Sequence, residues 1–471
     1  MLWKLSVIFY YILQYIMKET KKREIKKKHR ETRKHHVQVH GKRAPMTNVQ
    51  VHGKRAPMTN GWIRIKIYGN AFERGFAHGY LLAKELQVIK NAFIMVVKEN
   101  LKFTPTAYTI FCKEKITPNI QEYSPEFFEE IQGISAGAIS AGYPEITADF
   151  IVEWNAILST YTIAPERCSA FISIQNGNII MAHNTHTDLL TGQFANVILE
   201  ICPSEGNRMV MQTSPGFICS GTDFFIIENG IIGCESTIGN TNYTPIFGVP
   251  YFCRIRQAMQ YGNSLDDYVK IMLKENAGDY PCTWFLGDTR KKEIMQFEIA
   301  KKNHSVEKKR EGVFYGINSA HDEIIRKKET NDTDHGNTKT TSGARNMRLH
   351  YLLYEKYAKQ MTIENAKTII SDHYDVYLDK ETDGNSRTIC RHTDLDGEKT
   401  TREAYYPFGC TDAKIVDSTM AKKMEFIGRF GSSCSKAFHV NTFVKKHPQY
   451  KKIGEFLKNR PTQPWVYLNL W

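Results

Sequence analysis

Residues 166–188 read ERCSAFISIQNGNIIMAHNTHTD. Two apolar runs, 169–174 and 178–182, flank Asn176-Gly177, a dipeptide suited to the positive φ angles of a two-residue hairpin turn. The stretch predicts a buried β-hairpin, and its unusual features lie at the open end. Cys168 stands before the first strand, the charged pair Glu166-Arg167 precedes it, and Asn184, His186 and Asp188 cluster where the second strand ends. Because the ends of a hairpin meet in space, the thiol and those polar groups are expected to share one site.

Outward from the hairpin the texture differs on the two sides. Upstream, GWIRIKIYG (61–69) alternates as a short strand, while residues 73–101 and PEFFEEIQGISAGAIS (125–140) carry apolar residues at helical spacing. Downstream, ANVILEICP, NRMVMQTSPG, TDFFIIENGIIGCEST, CTWFLGD, KEIMQFEIA and GVFYGINS are short apolar or alternating runs punctuated by Gly, Asn and Pro. Helical spacing returns at 345–360 and 362–374, and strand patterning at 412–418 and 423–431. This order predicts an α+β body with sheets layered between helices. GISAG (133–137) matches the G-x-S-x-G nucleophile elbow, which needs a strand before its serine. Phe127, Phe128, Ile131 and Ile134 put helix there instead, so Ser135 reads as a helix-surface residue.

The 471 residues suffice for a large core without disulfides. The net charge of +13 is local: residues 1–60 hold fifteen Lys and Arg against three Glu, which leaves +1 for the rest. That leader joins an apolar segment (5–17), shorter than the roughly 18 residues usual for a span, to a Lys/Arg run and two tandem copies of VQVHGKRAPMTN at 37–48 and 49–60. Two such short copies bury no core, so residues 1–60 are placed outside the fold, with 5–17 as a candidate membrane anchor or interfacial segment and the basic run as either a solvated tail or a contact for a membrane surface, nucleic acid or an import receptor. The near-neutral body argues against nucleic acid. The ten cysteines include no C-x-x-C pair, no HExxH occurs, and His35, His36, His40 and His52 lie in the leader, so no metal site is expected.

A cysteine at a strand start beside polar groups is a candidate nucleophile. Were the Arg167-Cys168 bond broken, the new α-amino group, with a reference pKa of about 8, would lie within reach of its own thiol as a base. A papain-like site would instead want the cysteine at a helix start with a distant histidine.

Here the sequence becomes more specific. CSAFISIQNGNIIMAHNTHTD resembles the start of the catalytic chain in cysteine N-terminal nucleophile (Ntn) hydrolases of the penicillin acyltransferase type, and CSA followed by AHNT is similar to the related phospholipase B-like proteins. GNAFERGFAHGYLL (69–82) resembles that family's early Glu-x-Gly-x-x-x-Gly helix. ENGIIGCEST, TWFLGD, GINSAH, ARNMRLHYLL, RTICRHTD and CTDAKIVD follow in the family's order, so the likeness covers most of residues 61–435.

The resemblance implies a four-layer αββα fold, made as a precursor that cuts itself between Arg167 and Cys168 into a helical part (61–167) and a catalytic β-sandwich part (168–471), which stay together as a heterodimer. It implies that Cys168 then attacks amides or esters of a small acylated or lipid-like substrate through a thioester, without a cofactor. Asn318 of GINSAH matches the family's oxyanion donor, and Asn184, His186 and Asp188 are candidates for orienting the amine. Arg391 and His392 match a recurrent element and are candidates for substrate binding. The chain departs from the acyltransferase pattern in three places. His186 stands where those enzymes carry Asp, with Asp188 two residues later; no Arg precedes the late strand in YYPFGCTDAKIVD; and Arg167 is larger than the small residue that often precedes the nucleophile. The second reading is a catalytically inactive protein of the same fold whose basic leader binds membrane or nucleic acid; it requires neither autocleavage nor a reactive thiol.

Overall fold

The computed structural model describes residues 50–160, 168–246, 248–332, 335–398 and 403–469. Arg167, the apolar segment 5–17, the basic run and His35, His36 and His40 lie outside the described residues. Strands run in chain order as β1 (Gly53–Arg55), β2 (Ile63–Gly69), β3 (Ser169–Gln175), β4 (Asn178–Asp188), β5 (Val197–Pro203) and β6 (Met209–Thr213). They continue as β7 (Phe224–Ile227), β8 (Ile231–Thr237), β9 (Cys282–Asp288), β10 (Glu293–Ile299), β11 (His304–Lys309) and β12 (Gly312–Gly316). The last are β13 (Tyr374–Asp375), β14 (Lys380–Glu381), β15 (Phe408–Asp417), β16 (Phe426–Phe430) and β17 (Val466–Leu468).

The hairpin forms where its turn chemistry puts it. Asn176 and Gly177 take φ of 51° and 75°, and β3 pairs antiparallel with β4 from Gln175↔Asn178 back to Ser169↔Asn184. These strands sit in a six-stranded antiparallel sheet of order β12-β3-β4-β15-β16-β17. A nine-stranded sheet has the order β1-β2-β5-β6-β7-β8-β9-β10-β11, with β2 and β5 parallel. β3 and β4 are buried on both faces, which is why they read as near-continuous apolar runs rather than alternating ones.

Three apolar cores account for this. One joins Ala170, Ile172 and Ile174 of β3 to Ile226, Ile232 and Phe285 of the larger sheet, so the two sheets share an interior. A second packs Ile65, Leu199, Met211 and Trp284 of the larger sheet against helices Ala83–Val96, Pro125–Ser140 and Tyr251–Tyr261. A third packs Phe171, Ala182 and Ile415 of the smaller sheet against helices Thr341–Tyr351 and Ile363–Ile370. The protein is thus α+β, as the pattern of runs predicts.

The glycines of the early helices serve a close crossing. A Cβ at Gly75 or Gly79 of helix Ala71–Leu81 would lie 2.1 Å or 1.8 Å from the carbonyl oxygens of Glu130 and Ile134 in helix Pro125–Ser140. Gly133 and Gly137 of GISAG present the matching surface, so that motif is packing chemistry. Ser135 differs from its sequence reading as a surface residue: it is buried, and its Oγ donates to the Ile146 carbonyl at 2.8 Å. Glu73 belongs to a capping box with Asn70, each side chain accepting from the other's backbone N–H.

A further difference concerns the leader. The second repeat copy does not lie wholly outside the fold: its Gly53–Arg55 segment is β1, paired with Ile65–Ile67 of β2, and Arg55 reaches Glu85 at 2.7 Å. An open sheet edge offers unpaired backbone groups that any extended segment can satisfy, whatever its repeat origin. Among the described residues no helix is long and apolar enough to cross a membrane.

Candidate active site

Cys168 lies immediately before β3 and is buried, with a φ of +65°, in the left-handed region that non-glycine residues rarely adopt. Its Sγ and one carboxylate oxygen each from Asp223 and Glu235 lie within 4.8 Å of one another. Asp223 follows a turn before β7 and accepts from the Tyr251 hydroxyl at 2.8 Å; Glu235, in β8, accepts from the Tyr280 hydroxyl at 2.9 Å. Burial pushes the Cys168 thiol well above the ordinary cysteine range, and the two carboxylates add to this, while the His186 backbone N–H and the Lys414 ammonium oppose it. The thiol is therefore protonated near neutral pH and needs a base to take its proton before it can act as a nucleophile.

The guanidinium of Arg345, on helix Thr341–Tyr351, ties this cysteine to Asn318. Its Nη1 donates to the Cys168 carbonyl at 2.9 Å and to Ser169 Oγ at 3.0 Å, and its Nη2 donates to Asn318 Oδ1 at 2.9 Å. Asn318 also stands in the left-handed region, with φ of +71°, and its amide Nδ2 donates to the Thr237 carbonyl at 2.9 Å and Ser236 Oγ at 3.2 Å. Both amide hydrogens are thus engaged within the protein in this state. Asp223 has φ of +56°, so three of the residues gathered here hold left-handed backbone.

The alternation of β4 sorts the other residues named from sequence. Successive side chains of a strand point to opposite faces. His183 Nε2 meets the Glu235 carbonyl at 3.0 Å and Thr185 Oγ1 donates to Asp412 at 2.9 Å, toward the shared interior. Asn184 donates to the Ile370 and Ile389 carbonyls at 2.6 and 3.3 Å, and His186 Nε2 meets the Ile389 carbonyl at 3.1 Å, on the opposite face. So His186 reaches the thiol through its backbone, and its imidazole, like that of His183, is held far below the usual histidine range, in both cases chiefly by burial. Such imidazoles are poor proton acceptors at neutral pH. Asp188 N-caps the short helix Leu189–Gly192, accepting from the Thr191 backbone N–H at 2.8 Å and its hydroxyl at 2.7 Å. Arg391 is buried with its guanidinium over the Phe408 ring, and His392 faces Cys390 and Cys434; neither lines the cavity beside Cys168.

That cavity is lined by Cys168, Asp223, Thr185 and Tyr280 on its polar side and by Trp154, Leu158 and Phe217 on its apolar side. Its volume is about 40 Å³, room for two or three waters at about 15 Å³ each. Beside it Lys414 and Asp412, both fully buried, form an ion pair at 2.5 Å that also holds Thr185 and the Thr222 carbonyl. Asp223, Glu235, Arg345 and Lys414 went unnamed as site residues in the sequence. Glu235, Arg345 and Lys414 lie inside the motifs quoted for the family resemblance, which was the available signal, whereas Asp223 lies outside them, at the start of the strand run TDFFIIENGIIGCEST.

No protein-family model matches the chain. Part of it is similar to known proteins. It is 32% identical over 139 residues to "Putative phospholipase B-like 2" of Mus musculus, covering 26% of this chain and 23% of that one. The protein of that name from Bos taurus is 26% identical over 161 residues, 30% of this chain and 27% of its own length. An uncharacterised protein of Archaeoglobus fulgidus is 25% identical over 247 residues, 48% of this chain and 41% of that one. The alignments thus span less than half the length of each relative. The likeness is to a family related to the phospholipase B-like proteins.

Proposed function

We propose that this protein is a self-processing hydrolase or acyltransferase of the N-terminal cysteine nucleophile type, acting on an amide or ester with an apolar acyl group. The observation that carries the reading is Cys168 itself: a buried thiol at a strand start, on left-handed backbone, beside two carboxylates and with its carbonyl gripped by Arg345. The similarity to proteins named phospholipase B-like 2 favours acyl-group chemistry. A shared core between two sheets, with helices packed on the outer face of each, is the order a four-layer αββα Ntn sandwich requires.

In the proposed first step Cys168 Sγ attacks the carbonyl carbon of Arg167, and its proton passes to Glu235 or Asp223. The C–N bond breaks, the nitrogen leaves as the α-amino group of Cys168 with that proton, and the Arg167 acyl group rests on sulfur as a thioester. Water hydrolyses it to a carboxylate and a free thiol. The torsion φ of Cys168 is measured from the Arg167 carbonyl carbon, so cutting the Arg167–Cys168 bond also releases the roughly 1–3 kcal/mol that a left-handed non-glycine residue typically stores.

In the second, repeated reaction the α-amino group takes the thiol proton as sulfur attacks the substrate's acyl carbon, and returns it to the departing amine or alcohol; water or an acceptor amine then attacks the thioester, takes the acyl group and restores the free thiol. Glu235 and Asp223 give the amine its anionic partners, which no nearby imidazole supplies. Asn318 is the oxyanion donor in this scheme and must release Ser236 or Thr237 to act; such a donor is worth roughly 3 kcal/mol in the transition state. The cavity beside Cys168 has room for two or three waters, so a long acyl chain requires it to widen. The test uses cleaved protein and a series of p-nitrophenyl esters from acetate to long-chain acyl. Release of nitrophenol together with an acyl mass on the peptide beginning at Cys168 supports the reading; turnover that a Cys168→Ala variant retains would overturn it.

A further inference from the structure

Away from the nucleophile, three loops bring together two thiols and two imidazoles. His373 follows helix Ile363–Ile370, Cys390 and His392 lie in the loop before β15, and Cys434 follows β16. One donor atom from each of the four lies within 4.8 Å of the others. The His392 Nε2 is 3.3 Å from both Cys390 Sγ and Cys434 Sγ. Around a tetrahedral zinc, with Zn–S near 2.3 Å and Zn–N near 2.0–2.1 Å, the S···N edge is about 3.5 Å, so both measured edges need open by only a few tenths of an ångström.

The surroundings are built for this arrangement. His373 Nε2 is buried and makes no hydrogen bond, although a buried ring nitrogen ordinarily finds a partner. It faces the His392 ring: a Cβ placed on Gly384 would lie 2.4 Å from His392 Cδ2 and 3.3 Å from His373 Nε2, and only a glycine leaves that room. The two imidazoles meet nearly edge to face, with centroids 5.1 Å apart. The backbone of three of the four is pinned. The Cys390 N–H donates to the Asp372 carbonyl at 3.1 Å, the His392 N–H to Asn385 at 3.0 Å, and Thr382 holds the His373 carbonyl through both its N–H and its hydroxyl. Behind His392 the Asp394 carboxylate stands 3.9 Å from Nδ1, on the side where an outer carboxylate orients a ligating imidazole.

We propose that His373, Cys390, His392 and Cys434 bind one zinc ion in a closed, structural Cys₂His₂ site. Two thiolates and two imidazoles favour a soft or borderline tetrahedral ion, and four protein donors leave no position for substrate water. No local motif announces the site, because its ligands come from three separate loops. Its place in the fold gives it a task. Ile389, next to Cys390, supplies the carbonyl that receives both Asn184 and His186, and Ser433, next to Cys434, donates to the Ile370 carbonyl that also receives Asn184. The metal joins residues 373 to 434 into a clamp on the outer face of β4, the strand whose His186 backbone N–H meets the Cys168 thiol.

The inference is independent of the catalytic reading and is tested without activity. The full chain, made without a polyhistidine tag and purified under reducing conditions, is analysed for bound metal and by mass spectrometry. Expected is close to one zinc per chain, lost in Cys434→Ser and in His373→Ala but kept in Cys410→Ser, whose thiol lies nearby with the Ser433 N–H on its sulfur at 3.4 Å. Should the ligand variants fail to fold, wild-type protein answers instead. Cobalt exchanged for the zinc gives the intense visible bands of a tetrahedral thiolate site, and the metal protects Cys390 and Cys434 from alkylation until a chelator is added. Three results overturn the proposal: protein with neither zinc nor a cobalt spectrum after growth with zinc, zinc that survives both ligand substitutions, or a Cys390–Cys434 disulfide in protein purified without reductant.

Discussion

Arg345 offers the sharpest test of how the site is held. It is fully buried, and beyond its own helix it donates to Cys168 O, Ser169 Oγ, Ile317 O and Asn318 Oδ1, with the bonds to Cys168 and Asn318 both 2.9 Å and that to Ile317 longer, at 3.3 Å. Methionine at this position keeps much of the apolar stem and removes every donor. Each buried acceptor left without a partner costs roughly 1–3 kcal/mol, so the two short bonds alone set an expected loss of roughly 2–6 kcal/mol. That is a large share of the roughly 5–15 kcal/mol typical of a folded protein. Lysine, with one ammonium in place of a fork, reaches one of the two acceptors and should lose about half as much. The comparison is made in a Cys168→Ala background, so that every chain has the same covalent state, by urea unfolding followed through tryptophan fluorescence. Midpoints are compared at a common slope. An Arg345→Met variant within about 1 kcal/mol of its parent would refute the bridge between nucleophile and asparagine as a source of stability, since that lies below the cost of one orphaned acceptor.

Other expectations follow from the same geometry. Gly79→Ala puts a methyl group 1.8 Å from the Ile134 carbonyl and should cost about 3 kcal/mol in urea unfolding, whereas Gly336→Ala, with nothing within 4 Å, should change stability by less than about 0.5 kcal/mol. Equal effects would sink the helix-crossing account. His78 is buried, accepts from the Gly216 N–H at 2.9 Å, and is pushed down from 6.5 to about 4, chiefly by burial. The unfolded chain takes up the proton first, so stability falls as pH drops from about 6.5 toward 4, by about 3 kcal/mol from this group at full protonation difference. His78→Gln should flatten that part of the pH–stability curve, and an unchanged curve would contradict the assignment. Asp188→Ala removes a helix cap and should lower stability by about 1 kcal/mol while leaving chain cleavage intact; loss of cleavage at unchanged stability would return Asp188 to the chemistry.

Local chemistry was the legible part of this fold. Asn176-Gly177 announces its turn because few dipeptides tolerate two positive φ angles, and the helical spacing at 345–360 and 362–374 corresponds to helices Thr341–Tyr351 and Ile363–Ile370. What was hidden depends on partners distant in the chain. The parallel pairing of β2 with β5 joins segments more than 130 residues apart, and nothing in either strand names the other. The same holds at the site. Cys168 stands out by its position, but Glu235 and Asp223 approach it through sheet packing, and Arg345 reaches it across 177 residues. Asn184 and His186 were grouped with the thiol because the ends of a hairpin meet in space, and the strands do pair there, yet strand alternation turns their side chains to the far face, toward Ile370 and Ile389. The repeat misled in the opposite way: its second copy is mostly polar, but a strand at a sheet edge needs only its backbone, and Ala56 and Val51 pack inward beside it.

The measurement closest to the central claim is the intact mass of purified wild-type protein beside a Cys168→Ala variant. The account predicts that the wild type separates into two chains, the second beginning at Cys168, while the variant stays whole. Wild type and variant that both remain single 471-residue chains, with the bond before Cys168 unbroken, would contradict self-processing and with it the N-terminal nucleophile mechanism.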